Sequence, residues 1–166
     1  MKRLFLSTCL LISITFLSFG QGRPSPPAEV TASVNRADVT INYSQPAVKG
    51  RTIWGDLVPY DAVWRTGANE ATWIEVSKDV TIEGQKLEAG KYGLFTIPGK
   101  DEWTIIFNDT WQQWGAYEYD KSKDALRVTV KPESVSDSAE RMTFSIADDG
   151  VVDLRWDKLK VSFNVD

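Results

Sequence analysis

Histidine is absent from this chain, and cysteine occurs once, at Cys9. The first absence removes Ser–His and Cys–His nucleophile pairs and every His-ligated zinc or copper site; the second excludes an intramolecular disulfide. Runs of positive charge are also missing. Nineteen Lys and Arg stand against 23 Asp and Glu, for a net charge of −4 at pH 7. Nucleic acid needs clustered cations along its phosphates, so it is excluded as a partner. Past residue 20 no apolar stretch is long enough to span a bilayer, helical periodicity is scarce, and no segment repeats. Nothing in this inventory calls for a cofactor or a metal.

What is present begins with a leader. Lys2-Arg3 form a positive n-region, Leu4 to Phe19 an apolar h-region, and Ser18-Phe19-Gly20 a small-x-small site, so residues 1–20 read as a signal peptide cleaved before Gln21. The exported chain then lacks Cys and is more acidic, because Lys2 and Arg3 leave with the leader. Residues 21–28 read as a Pro-rich linker, and residues 29–166 as one domain.

Within that domain the period is two. Val30–Val34 and Val39–Tyr43 alternate around the turn Asn35-Arg36, and strands return from Ala71 onward: 71–77, 80–82, 85–87, 91–97, 103–108 and 125–131. Pro132–Ser138 reads as a polar loop. Met142–Ile146 and Val151–Trp156 flank the turn Asp148-Asp149-Gly150, and Lys158–Val165 closes the chain. Turn signals at this spacing predict an all-β fold, a single antiparallel β-sandwich (jelly-roll-like) of about ten strands. Residues 46–62 break the alternation with two Gly and a Pro. They predict one long structured loop, with a helical turn near Ile53–Leu57.

The chemistry concentrates at Val63-Trp64-Arg65-Thr66-Gly67-Ala68-Asn69-Glu70-Ala71-Thr72. One reading makes Arg65 and Glu70 a structural ion pair, with Asn69 tying the long loop to the sheet. Another makes Arg65 the grip for a small anionic ligand, assisted by Lys49 or Arg51, because the planar guanidinium fork matches a carboxylate. Lys49, Asn69 and Glu70 are also the residue types of an intramolecular isopeptide bond. Loop-borne aromatics Trp54, Trp111 and Trp114, with Tyr60 and Tyr117, are candidates for a carbohydrate- or peptide-binding face. A carboxylate-based hydrolase acting on a polysaccharide is the alternative, casting Glu70 with Asp56 or Glu118. Any acidic chain offers such pairs, so a non-enzymatic binding or scaffold role is the first expectation. Asp148-Asp149-Gly150 is better read as a hairpin turn than as a calcium loop.

Several motifs also carry a resemblance. Tyr43-Ser-Gln-Pro-Ala-Val-Lys-Gly-Arg51, Leu57-Val-Pro-Tyr60, Val63 to Thr72, Leu87-Glu-Ala-Gly-Lys-Tyr-Gly-Leu-Phe-Thr-Ile-Pro98 and Trp114-Gly-Ala-Tyr117 resemble the bacterial family catalogued as domain of unknown function 2911. Asp61 stands where that pattern leads one to expect Gly. The resemblance implies an exported β-sandwich protein and transfers no catalytic residue.

Overall fold

A computed structural model describes residues 22–166, so the signal peptide expected over residues 1–20 lies outside the described residues. Ten strands run in order: β1 (Pro27–Val34), β2 (Ala37–Ser44), β3 (Trp73–Val76), β4 (Val80–Ile82), β5 (Gln85–Leu87), β6 (Gly90–Ile97), β7 (Trp103–Asn108), β8 (Asp124–Val130), β9 (Pro132–Ile146) and β10 (Val151–Asn164). The all-β expectation is met. Among the described residues no helix is long and apolar enough to cross a membrane.

One layer is a six-stranded antiparallel sheet in the order β1-β2-β3-β6-β7-β8. Most neighbours are consecutive in the chain, so the connectivity is a meander where a jelly-roll-like winding was expected. Tight turns such as Asn35-Arg36 (φ 47° and 71°) return each strand beside its predecessor. The other layer is the long β9–β10 hairpin, extended by the β4–β5 hairpin. Thr81 and Asp166 exchange two backbone hydrogen bonds (2.7 and 2.9 Å), and Glu83 N–H donates to the Asn164 carbonyl (3.1 Å), which joins the hairpins edge to edge.

Alternation explains the core. Val39 and Ile41 on β2, Ile74 and Val76 on β3, Leu94 on β6, and Trp103, Ile105 and Phe107 on β7 turn one face inward. They meet Met142 and Phe144 from β9 and Leu154, Trp156, Val161 and Phe163 from β10 in a single cluster. Burial of such side chains stabilises by about 1.5–3 kcal/mol each. Strands β6 and β7 are buried on both faces, which is why they read as nearly continuous apolar runs. On the outer face Phe95, Ile106 and Ala71 form a second cluster with Val63, Ile97, Ala116 and Tyr119, under the segment that follows β7.

Four details differ from the sequence reading, the first being that Val151–Trp156 and Lys158–Val165 are one strand, β10, irregular only at Asp157 (φ 52°), where its register against β9 shifts. Pro132–Ser138 is the first half of β9, because Leu159, Lys160 and Val161 pair with Ser134, Glu133 and Pro132 whatever the local polarity, and Pro opens the strand where it is tolerated. Ile53–Leu57 forms no helix. It is a tight turn closed by Gly55 N–H to the Val58 carbonyl and Val58 N–H to the Ile53 carbonyl (both 2.9 Å). The linker also ends early: Pro27 and Ala28 pair with Ser44 and Tyr43 in β1, and Gln45 N–H donates to Pro26 O (2.9 Å).

Gly150 has φ 88°, and a Cβ there would lie 2.0 Å from the Val165 carbonyl oxygen, whose residue donates back to Gly150 O (2.9 Å). Gly84 (φ 76°) has open space around the same atom. Gly84→Ala should therefore lose only the left-handed backbone cost of about 1–2 kcal/mol. Gly150→Ala should lose clearly more in urea unfolding, because the β10 terminus must shift away. Equal losses would refute this account of the β9–β10 turn.

Candidate functional site

The Val63–Thr72 segment stands in for a strand. Strand β3 pairs with β6 only as far as Trp73–Gly93, and beyond it Thr72 O accepts from Leu94 N–H (2.8 Å). The next place along β6 is taken by Trp64, which exchanges two bonds with Thr96 (2.8 and 3.0 Å), and then by Asp61, whose N–H donates to Pro98 O (2.8 Å). Arg65–Ala71 therefore has to leave the sheet and return within a few residues. Thr66 (φ 55°) and Asn69 (φ 60°) absorb the reversal. A β-branched residue in the left-handed region costs of order 1–3 kcal/mol and persists only where its surroundings impose it. Here Thr72 Oγ1 donates to Thr66 O (2.8 Å), Thr66 Oγ1 to Thr96 Oγ1 (3.2 Å), and Trp64 Nε1 to Gly67 O (3.2 Å).

A cavity of about 300 Å³ opens beside this loop, and Arg51, Arg65, Asn69, Ser25, Trp64 and Trp156 are among its walls. No carboxylate lines it. Arg51 is occupied with its own loop, donating from Nε to Val48 O (3.1 Å) and from Nη2 to Ala47 O. Asn69 Nδ2 donates to Ser25 O (3.1 Å) and Ser44 Oγ (3.3 Å), so it ties the N-terminal arm to the end of β2. Arg65 is different. None of the ion pairs among the described residues includes it, and its Nε is buried without a hydrogen-bond partner. Burial lowers the pKa of its guanidinium, with the Tyr117 phenol acting in the opposite direction. The indole N–H groups of Trp54, Trp103 and Trp156, packed together in the core, are likewise buried with no acceptor.

The expected Arg65–Glu70 pair does not form. Both Glu70 oxygens accept from Arg23 Nη1 (2.9 and 3.0 Å) on the N-terminal arm. The Glu70 carboxyl is held below the ordinary range chiefly by a hydrogen bond from its own backbone; burial opposes this, and the bond and charge of Arg23 add smaller lowering effects. Lys49 is exposed on a left-handed turn (φ 48°), and its N–H donates to Glu140 Oε1 (3.0 Å). Lys49, Asn69 and Glu70 thus answer to three different partners. Trp54 belongs to a core cluster with Trp64, Trp103 and Trp156, with centroids 5.1 Å (to Trp103) to 5.9 Å (to Trp64) from its own. Tyr60 packs on Gly55, where a Cβ would come within 2.8 Å of its ring.

Trp114 (56% exposed) and Tyr117 (86% exposed) stand on the segment after β7. That segment is laid against the site: Ala71 N–H donates to Gln113 O (2.9 Å) and Gly115 N–H to Asn69 O (3.0 Å). Sequence reasoning missed its anchor. Asn108 Nδ2 donates to Asp124 Oδ1 (2.8 Å) and Asp120 O (2.9 Å), Arg127 Nε to Asp124 Oδ2 (2.6 Å), and Arg127 Nη2 to Tyr119 Oη, which itself donates to Asp124 (2.9 Å). A polar residue ending the apolar run of β7 was the only sequence signal. Arg23 and Trp156 were missed as well, one read as linker and one as core.

Residues 25–165 match the family described as protein of unknown function (DUF2911). The chain belongs to that family. No curated protein matches it, and neither does any solved structure. The DUF2911 match runs from Ser25 through Val165, so it takes in the Arg65 cavity and both layers around it.

Burial raises the Tyr119 pKa first and its bond to Asp124 second, and burial also raises that of Tyr92. A phenol whose folded pKa exceeds its unfolded value of about 10 contributes stability that is complete below that pH and is lost as pH rises through the folded value. The protein should therefore weaken in alkali above about pH 10. Tyr119→Phe should cost about 1–3 kcal/mol at pH 7 and flatten the alkaline decline, leaving the Tyr92 share. Urea midpoints measured from pH 7 to 11 check this, and an unchanged alkaline slope in Tyr119→Phe would count against it.

Proposed function

We propose that this DUF2911 protein is a non-enzymatic binding protein that takes a small carboxylate-bearing molecule in the Arg65 cavity. With residues 1–20 read as a signal peptide, it works in the periplasm or outside the cell. The observation that carries the reading is the one-sided chemistry of the walls. Arg65 lines the cavity and belongs to none of the ion pairs among the described residues, a second guanidinium (Arg51) stands in the same wall, and no carboxylate neutralises them. A guanidinium without a counter-charge is matched by a carboxylate, which takes two parallel charge-assisted bonds from its fork. The strained backbone at Thr66 adds support, since left-handed β-branched residues collect where a side chain must be held in place.

The hydrolase alternative fits less well. A general acid needs a carboxyl whose pKa is raised, and that of Glu70 is lowered by its backbone bond and Arg23. A pure scaffold role for Arg65 also loses its basis once Glu70 is paired elsewhere.

A panel of acetate, benzoate, succinate and citrate, titrated calorimetrically against the exported form, should contain at least one binder. Arg65→Ala should weaken that binder about 10- to 100-fold, the equivalent of one or two charge-assisted hydrogen bonds. Arg65→Lys should restore only part, because an ammonium lacks the fork. Unfolding temperature should hardly fall in Arg65→Ala, since the side chain makes no ion pair. A collapse of stability in that variant would point to the scaffold role instead, and a silent panel would end the carboxylate reading.

A further inference from the structure

A second and larger cavity, of about 470 Å³, lies on the outer face of the six-stranded sheet. It is within the range of about 300–1,000 Å³ typical of small-molecule sites. Its floor comes from β2 and β3 through Asn42, Ser44 and Trp73, and one wall from Trp111 and Gln112 on the segment after β7. The Trp73 and Trp111 rings meet edge to face at 6.3 Å and 66°. Lys91 Nζ holds them there, 3.2 Å from the centroid of Trp73 and 4.3 Å from that of Trp111. Arg23 and Glu70 stand at the rim, already bonded to each other.

The geometry points to a binding site for a neutral carbohydrate, stacked on Trp111 and Trp73 and hydrogen-bonded by Asn42, Ser44 and Gln112. Three features select that chemistry. First, the charges are used up. The Lys91 ammonium already sits on both indoles and pairs with Glu75 (3.7 Å), so a cationic ligand is opposed. The Arg23–Glu70 pair leaves no net charge to draw an anion. Second, the floor offers side chains only. Strands β2 and β3 are each paired on both sides, so no free backbone edge is available for an extended peptide to add to. Third, the polar groups suit hydroxyls, which donate and accept together. Asn42 donates from Nδ2 to Glu29 Oε2 (3.1 Å) and keeps Oδ1 as an acceptor; Ser44 Oγ accepts from Asn69 and keeps its proton; Gln112 is exposed with both amide functions at hand. Indole faces then take the apolar C–H face of a sugar ring.

This site is separate from the Arg65 cavity; of the three loop tryptophans it keeps Trp111, leaves out Trp54 and Trp114, and adds Trp73 from β3. Trp114 does not line it. The test is a titration of the exported form with cellohexaose, xylohexaose, mannohexaose, maltohexaose and chitohexaose, read by calorimetry and tryptophan fluorescence. At least one should bind and change the fluorescence. Trp111→Ala should weaken it about tenfold or more, Trp111→Tyr should recover much of the loss, and Trp114→Ala should leave it unchanged. Gln112→Ala, at an exposed position without a packing role, should weaken the same ligand if Trp111→Ala proves unstable. The proposal is overturned if all five sugars fail to bind. It is also overturned if Trp114→Ala rather than Trp111→Ala abolishes binding, or if neither Trp111→Ala nor Gln112→Ala affects it.

Discussion

Two backbone hydrogen bonds between Trp64 and Thr96 govern much of the rest of this molecule. They admit a loop residue to the sheet beside β6, at the place where β3 has run out. Once Trp64 is held there, its indole joins Trp54, Trp103 and Trp156 in the core, stacking on Trp156 at 6.0 Å and 18°. The chain on either side has no freedom left. Before Trp64, the 46–62 loop must cross to the second layer, where Val48 N–H donates to Glu140 O and Met142 N–H to Pro46 O (2.8 and 3.0 Å). After it, the backbone must reverse through Thr66 and Asn69 to reach β3. A polar loop is thereby bound over a tryptophan core, and a cavity walled by Arg51, Arg65 and Asn69 results.

The two cavities share one organising residue. Asn69 lines the Arg65 cavity with its side chain, bonds Ser44 of the outer groove, and receives Gly115 N–H at its carbonyl. The N-terminal arm follows the same division: Ser25 lines one cavity and Arg23 the other. Arg141 Nη1 donates to Pro24 O (3.4 Å) and Gln45 O (3.2 Å), which fastens that arm to the β9 side. A stretch that composition marks as flexible linker thus forms part of the walls. Proline supplies the extended backbone, and four separate partners supply the enthalpy that holds it down.

The candidate site was legible in types and misread in pairings. Arg65, Arg51 and Asn69 were picked out by residue chemistry, and they do share a cavity. Glu70 sits only five residues from Arg65, yet the reversal at Asn69 turns it to Arg23 instead. Nearness in sequence suggests an ion pair, but backbone direction decides whether the side chains face each other. Trp54 shows the same limit: a tryptophan in a loop reads as exposed until the loop folds onto a core.

By itself the sequence determined the all-β class, nearly every strand, the tight turns and the membership that the motifs announced. Those features rest on local physics: period-two burial, glycine and asparagine at left-handed turns, and proline at strand ends. Only the tertiary structure decided that Pro132–Ser138 is strand, that the arm is docked, and that Arg65 has no carboxylate beside it. It also decided that Trp73 and Trp111 share one ammonium. Each of these depends on which distant segment arrives alongside, and a single chain read in order carries no distances between its parts.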